Sequence, residues 1–303
     1  MPIFTAADGT ELAYHLRGDG DPLVVLPGGP MQASSYLGDL GGLANHRRLV
    51  LLDLRGTGDS AVPVDPATYR CDRLVDDVEA LRVHLRLERM DLLAHSAGGS
   101  LAMLYAARHP ERVARLVLVT CIPWALGRQP SAEDRLAAAR LRSGEPWFQD
   151  VFPAFEEWLA GKTDFDPAFA PFFYGRWDDA AADHDAGFEF NDDAAEVYGS
   201  DGAYDPPATT AALARVAAPV LVLAGELDGG PRPELARTAA DAFPSAEFTV
   251  QPGAGHYPWV DDPEWFARRI ARFLDRDEAV VPPAEQEIGP QATRSSCGMR
   301  RLP

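Results

Sequence analysis

Lysine is almost absent from this chain: Lys162 is the only one in 303 residues, and the 28 Lys and Arg together face 46 Asp and Glu. The formal net charge of -18 argues against nucleic acid, whose binding needs Lys and Arg clustered on one face. Cysteine is scarce as well. Cys71, Cys121 and Cys297 are an odd number at unrelated spacings, which gives neither a disulfide framework nor a metal-ligand pattern. The first residues hold no basic segment followed by an apolar one, and no apolar run approaches membrane-spanning length. These absences predict a protein of the reducing cytoplasm that partners neither nucleic acid nor membrane.

What is present suits a sizeable folded core, with 46% hydrophobic and 24% charged residues. Phe4 to Leu16 reads as a hairpin around Asp8-Gly9. Pro22 to Pro27, Arg48 to Asp53, Met90 to Ala94, Val113 to Val119 and Pro219 to Gly225 are continuous apolar runs of strand length, as expected of strands covered on both faces. Helical spacing separates them, at Arg73 to Leu87 and from Leu101 to Arg108. That alternation predicts an α/β protein with a doubly wound, mostly parallel sheet.

The rhythm breaks between 122 and 205, a stretch rich in Ala, Asp, Glu, Phe and Trp with helical segments at Glu133 to Leu141 and Ala154 to Leu159. It reads as a helical cap inserted between the sixth and seventh strands, with 1–121 and 206–276 forming the core. Glu247 to Val250 reads as a last short strand, and Pro263 to Leu274 as a closing amphipathic helix. From Asp277 to the end, Pro, Glu and Gln dominate, the composition of a disordered tail.

The informative stretch is Ala94-His95-Ser96-Ala97-Gly98, where a strand gives way to a helix around a serine flanked by small residues. A serine hydroxyl needs a base to take its proton and a carboxylate to orient that base. In a doubly wound sheet, loops at the carboxyl ends of strands converge. Ser96, Asp228 and His256 each follow a different strand, in the order Ser, Asp, His. His95 reads as packing, and Asp53 precedes the serine in a loop rich in Arg and Gly. Two backbone N–H groups are placed to hold an oxyanion: Ala97, just after the serine, and Gly29, in the Gly28-Gly29-Pro30 loop where proline cannot donate.

The chain resembles the α/β-hydrolases, and within them the proline iminopeptidase-related branch. The likeness rests on Gly28-Gly29-Pro30, on Asp53-Leu54-Arg55-Gly56-Thr57-Gly58-Asp59-Ser60, on the elbow, on Gly225-Glu226-Leu227-Asp228 and on Gly253-Ala254-Gly255-His256. Pro27 and Met31 depart from the branch's His-Gly-Gly-Pro-Gly loop, and Ala94 from the first glycine of its elbow. The resemblance implies a serine hydrolase working through an acyl-enzyme on a small-molecule or short-peptide substrate, with no metal or organic cofactor. Serine at the elbow sets the chain apart from haloalkane dehalogenases and epoxide hydrolases, which carry aspartate there. The branch also holds its substrate's free amine with cap carboxylates. Glu189, Asp192, Asp193 and Glu196 are acidic cap residues, which also fit a solvated face. Three activities remain open: release of a small N-terminal residue; hydrolysis of an ester, lactone or thioester; and a binding or cyclase-like role that keeps the pocket without turnover.

Overall fold

A computed structural model describes residues 1–276, so the segment from 277 read as a tail lies outside the described residues. Eight strands form one sheet: β1 (Ile3–Thr5), β2 (Glu11–Arg17), β3 (Pro22–Leu26), β4 (Arg48–Leu52), β5 (Met90–His95), β6 (Val113–Val119), β7 (Val220–Gly225) and β8 (Ala246–Gln251), in the order β1-β2-β4-β3-β5-β6-β7-β8. The β1–β2 and β2–β4 pairings are antiparallel and every other pairing is parallel.

The continuous apolar runs have a direct cause. Successive residues of a strand face opposite sides, and both sides here are covered. Leu92, Ala94, Leu116 and Leu118 enter one core, with Leu74, Val78 and Leu81 of helix α1 (Cys71–His84) and Leu101 and Tyr105 of helix α2 (Gly98–Arg108). Their neighbours Leu93, Val117 and Val119 enter a second core on the other face. Helix α1 ends three residues short of the predicted Leu87, because Arg86 takes a left-handed conformation at φ 57°.

The order in which strands are added reverses between β3 and β5, which lie side by side and parallel although β3 is followed by β4. Crevices at such a point are where α/β sheets bind ligands. The loop after β3 and the turn after β5 meet there, and the approach is tight. A Cβ on Gly98 would lie 2.3 Å from the Pro27 carbonyl oxygen, so only glycine lets α2 start here. Ala94 is fully buried in the core, which accommodates its methyl where the family pattern has glycine.

Five helices separate β6 from β7: α3 (Ala132–Arg140), α4 (Phe148–Leu159), α5 (Asp179–Ala186), α6 (Asp192–Tyr198) and α7 (Pro206–Leu213). Helix α4 begins six residues before the predicted Ala154 and keeps Pro153 inside its second turn. The segment is built in two parts. Phe148, Phe155, Phe169 and Phe172 make a small aromatic core of their own, with Phe155 and Phe172 stacked at 4.2 Å. Ala194, Tyr198, Ala203 and Leu213 instead join the core beneath the sheet.

Main-chain hydrogen bonds fasten this insertion to the loops after β3 and β8. Ala33 N–H donates to the Glu189 carbonyl and Asn191 N–H to the Met31 carbonyl, at 2.9 and 3.0 Å. Phe173 carbonyl accepts from His256 N–H at 2.7 Å. Asp261, in the short helix α9 (Pro258–Asp261), accepts from Gly175 and Gly255 N–H at 2.8 and 2.7 Å, and from Arg176 N–H. Helices α8 (Pro233–Ala240) and α10 (Pro263–Leu274) complete the layers, with Phe266, Ile270 and Phe273 of α10 buried against the sheet. Among the described residues no helix is long and apolar enough to cross a membrane.

Arg55, in the loop after β4, is held by a buried fork: Nε and Nη2 donate to the two oxygens of Asp77 at 2.8 and 2.5 Å, and Nη1 to Asp8 at 2.8 Å. Breaking a buried pair from one side strands the other charge. Asp77→Ala is expected to lower folding stability by about 3–5 kcal/mol, read as a fall in the urea midpoint. A second test uses pH. Burial pushes the Asp261 carboxyl up from its ordinary 3.8 to about 6, against its backbone N–H bonds. The folded chain therefore holds this proton more tightly than the unfolded chain does. Its contribution is full below about pH 4 and is lost as pH rises through 6. The stability difference between the wild type and Asp261→Asn should fall across that window and level off above it.

Candidate active site

Ser96 directly follows β5 in a conformation that few non-glycine residues adopt, φ 52°. The surrounding backbone fixes it. Its N–H donates to the Val119 carbonyl at 3.0 Å, and its carbonyl accepts from Gly99 and Ile122 N–H at 3.0 and 3.2 Å. The sharp turn lifts the hydroxyl above the carboxyl edge of the sheet. There Ser96 Oγ lies 2.8 Å from His256 Nε2, and His256 Nδ1 lies 2.8 Å from Asp228 Oδ2. Asp228 Oδ1 accepts from Gly230 N–H at 2.7 Å. All three side chains are buried. A carboxylate can only accept, so Nδ1 carries the imidazole proton and Nε2 presents its lone pair to the serine hydroxyl. The structure thus brings together the three residues chosen from the sequence.

His95 does more than pack. Burial, with His256 beside it, holds its pKa well below the ordinary 6.5, so the ring is neutral. The carbonyl of His256 lies 3.0 Å from His95 Nε2 and can only accept, so Nε2 is the protonated nitrogen. Nδ1 must then accept, and its partner at 2.7 Å is the Tyr36 hydroxyl. That hydroxyl in turn accepts from Gly28 N–H at 2.8 Å. Thr120 Oγ1 also donates to the His256 carbonyl, at 2.9 Å. A single buried chain of hydrogen bonds therefore links the loop after β3, the residue before Ser96 and the backbone of His256.

The glycine loop lies hard against the elbow: a Cβ on Gly28 would stand 2.8 Å from the Ser96 Cβ. Gly29 has φ 114°, a conformation reserved for glycine. Among the described residues neither Gly29 N–H nor Ala97 N–H has a hydrogen-bond partner, and Gly29 and Ser96 line the same cavity.

The rival acid and histidines serve elsewhere. Asp53 accepts from Ser34 N–H and Oγ at 2.9 and 2.7 Å, from Asp59 N–H at 3.0 Å, and bonds His15 Nε2 at 2.8 Å, which braces the loops below the site. His15, Asp53 and Asp59 could together offer three ligand atoms to a metal, but the two Asp53 oxygens are already engaged by these four partners. His184 bridges Tyr174 Oη and the Tyr36 carbonyl at 2.8 and 2.9 Å, and burial lowers its pKa to about 4.

Ser96 and His256 open onto a cavity of about 540 Å³ under the insertion, walled by Ile122, Phe165, Phe173, Phe188, Phe190 and Tyr257. Phe165 and Phe190 are half exposed and mark its mouth. Trp158 and Phe172, also prominent in the sequence, pack instead in the insertion's own aromatic core. Glu189, Asp192, Asp193 and Glu196 are all exposed and none lines this cavity. Two charged residues that the sequence reading did not single out do line it, Arg135 of α3 and Asp185 of α5. Nothing local to either marks it out; only the folding of the insertion over the sheet brings them there.

Comparison with known proteins agrees with this architecture. Residues 21–263 match the family model described as the alpha/beta hydrolase fold. The chain is 27% identical to a proline iminopeptidase of Lactobacillus helveticus over 290 residues, spanning 89% of this chain and 96% of that protein. The crystal structure of a proline iminopeptidase from Mycobacterium smegmatis superposes with a TM-score of 0.67 at 25% identity, over 90% of this chain and 97% of the other. An esterase from Rhodococcus sp. ECU1013 superposes with a TM-score of 0.65 at 25% identity, over 90% and 98%. The chain belongs to the α/β-hydrolase family, as a hydrolase similar to its proline iminopeptidases and esterases.

Proposed function

We propose that the protein is a serine hydrolase that cleaves a small N-terminal residue amide or a small ester through an acyl-enzyme, with residues 122–205 as the cap over its site. The observation that carries this reading is the unbroken line of hydrogen bonds from Ser96 Oγ through His256 to Asp228, opening onto an apolar cavity. In the proposed reaction Ser96 Oγ attacks the substrate carbonyl while His256 Nε2 takes its proton. Asp228 keeps the imidazole in the required tautomer and stabilises the imidazolium. The negative charge that develops on the carbonyl oxygen falls between the free N–H groups of Gly29 and Ala97, both main-chain donors. Collapse of the adduct breaks the bond to the leaving group, which receives the proton from His256. Water then attacks the acyl group by the same steps in reverse, returning Ser96 Oγ–H and releasing the acid.

Two substrate readings follow from separate observations. Likeness to the Lactobacillus helveticus proline iminopeptidase over nearly the full length of both chains favours an N-terminal residue. Asp185 then offers a carboxylate toward the cavity for the free amine. Pro27 and Met31 in the glycine loop, and a cavity walled in part by four phenylalanines and Tyr257, favour an ester. Purified protein assayed on a proline anilide and on short-chain aryl esters separates the two: ester cleavage without anilide cleavage eliminates the peptidase.

Ser96→Ala should lower kcat by about 10⁴-fold or more and abolish labelling by a fluorophosphonate. An unlabelled Ser96 in folded wild-type protein would refute the nucleophile assignment. Asp228→Asn should cost about 10⁴-fold while leaving the fold intact. Tyr36→Phe strands Gly28 N–H and His95 Nδ1, so the oxyanion loop loses its tether. The expected change is in kcat more than KM, smaller than the ~10²–10³ lost with a whole oxyanion donor.

A further inference from the structure

Arg135 stands apart from the other charged groups around the site. It lines the cavity that holds Ser96 and His256, on helix α3 of the insertion. Carboxylates outnumber Lys and Arg by 46 to 28 in this chain, and the buried Arg55 and the part-buried Arg115 take carboxylate partners. Arg135 takes none: among the described residues its side chain makes no hydrogen bond and no ion pair, including with Asp185. The acid that bears on it most is Asp228, whose two oxygens are already engaged by His256 and Gly230.

The guanidinium is nevertheless held in place. It lies over the Trp158 ring, 6.0 Å from the centroid, and beside Gly230, where a Cβ would stand 3.4 Å from its central carbon. The loop after Asp228 thus flanks the planar head at van der Waals distance, while Gly229 packs on the Arg135 backbone, where a Cβ would stand 3.3 Å from its Cα. Burial opposes its charge and lowers its pKa from the ordinary 12.5. A cation taken partly out of water, without a protein anion, is stabilised by an anion arriving with the ligand. The fork of a guanidinium matches a carboxylate with two parallel hydrogen bonds.

We propose that Arg135 is an anion subsite of the cavity, so that the preferred substrate carries a carboxylate in addition to the bond that is cleaved. This rests on the serine hydrolase reading and narrows it. The carboxylate can belong to the acyl part, as in the half-ester of a dicarboxylic acid, or to the leaving group, as in a dipeptide or an ester of a hydroxy acid.

Two matched pairs test both sources: monophenyl glutarate against phenyl butyrate for the acyl part, and 3-carboxyphenyl acetate against phenyl acetate for the leaving group, each corrected for its uncatalysed rate. Wild-type protein should prefer the anionic member of one pair by about tenfold or more in kcat/KM. That ratio should collapse in Arg135→Gln, recover in part in Arg135→Lys and shrink with added salt. No preference in either pair for the wild type, or an unchanged ratio in Arg135→Gln, overturns the proposal. Failure of the underlying reading looks different, with no turnover of any ester and no fluorophosphonate label on Ser96. Calorimetry then decides the subsite alone. Ser96→Ala protein should bind monomethyl glutarate more tightly than dimethyl glutarate, and a lack of preference there refutes the anion site whatever the chemistry.

Discussion

The bonds from Gly28 through Tyr36 and His95 to His256 work only because His95 is neutral and holds its proton on Nε2. Each group in the chain then has one role: the Gly28 amide gives, the phenol takes and gives, Nδ1 takes, Nε2 gives, and the His256 carbonyl takes. Charging the ring would leave Nδ1 and the phenol competing as donors in a place buried from solvent. Because the chain spans the ends of three strands, it sets the glycine loop, the Ser96 turn and His256 at fixed distances from one another.

The insertion sits on that frame as a fastened roof. Its lower part, with Tyr198 donating to the Ala97 carbonyl at 2.9 Å, belongs to the core beneath the sheet. Its upper part, with the four buried phenylalanines, has a core of its own and supplies α3 and the Phe165 side of the mouth. On the proposed reading, chemistry and selectivity fall to different layers. Strand ends hold Ser96, Asp228 and His256, while the roof holds Arg135, Asp185 and most of the aromatic walls.

The same division explains what could be read from the sequence. Strands covered on both faces announce themselves as apolar runs, and the residues that follow them, Ser96, Asp228 and His256, can be located by counting from those runs. Gly98 was legible too, because close backbone approach leaves no other residue type: a Cβ there would come within 2.3 Å of the Pro27 carbonyl oxygen. Arg135 and Asp185 were not, since a charged residue on a helix carries no local mark of the wall it will face. His95 was visible, but its bond runs to a backbone atom 161 residues away, and Tyr36 sits in a short 3-10 turn without periodicity. Pro153 hid half of α4, because a proline normally signals the end of a helix rather than its second turn.

The two main-chain fastenings of the roof also bear on how such a protein can be re-engineered. Residues 31–33 pair with 189–191, with Gln32 bridging Phe190, and the Phe173 carbonyl bonds the amide of His256 itself. A cap borrowed from another hydrolase and spliced in at 122 and 205 would arrive without these contacts, leaving His256 N–H bare and the glycine loop open on its outer side. The transplantable unit is therefore discontinuous: the inserted helices together with the loop after β3 and the turn from Gly253 to Asp261.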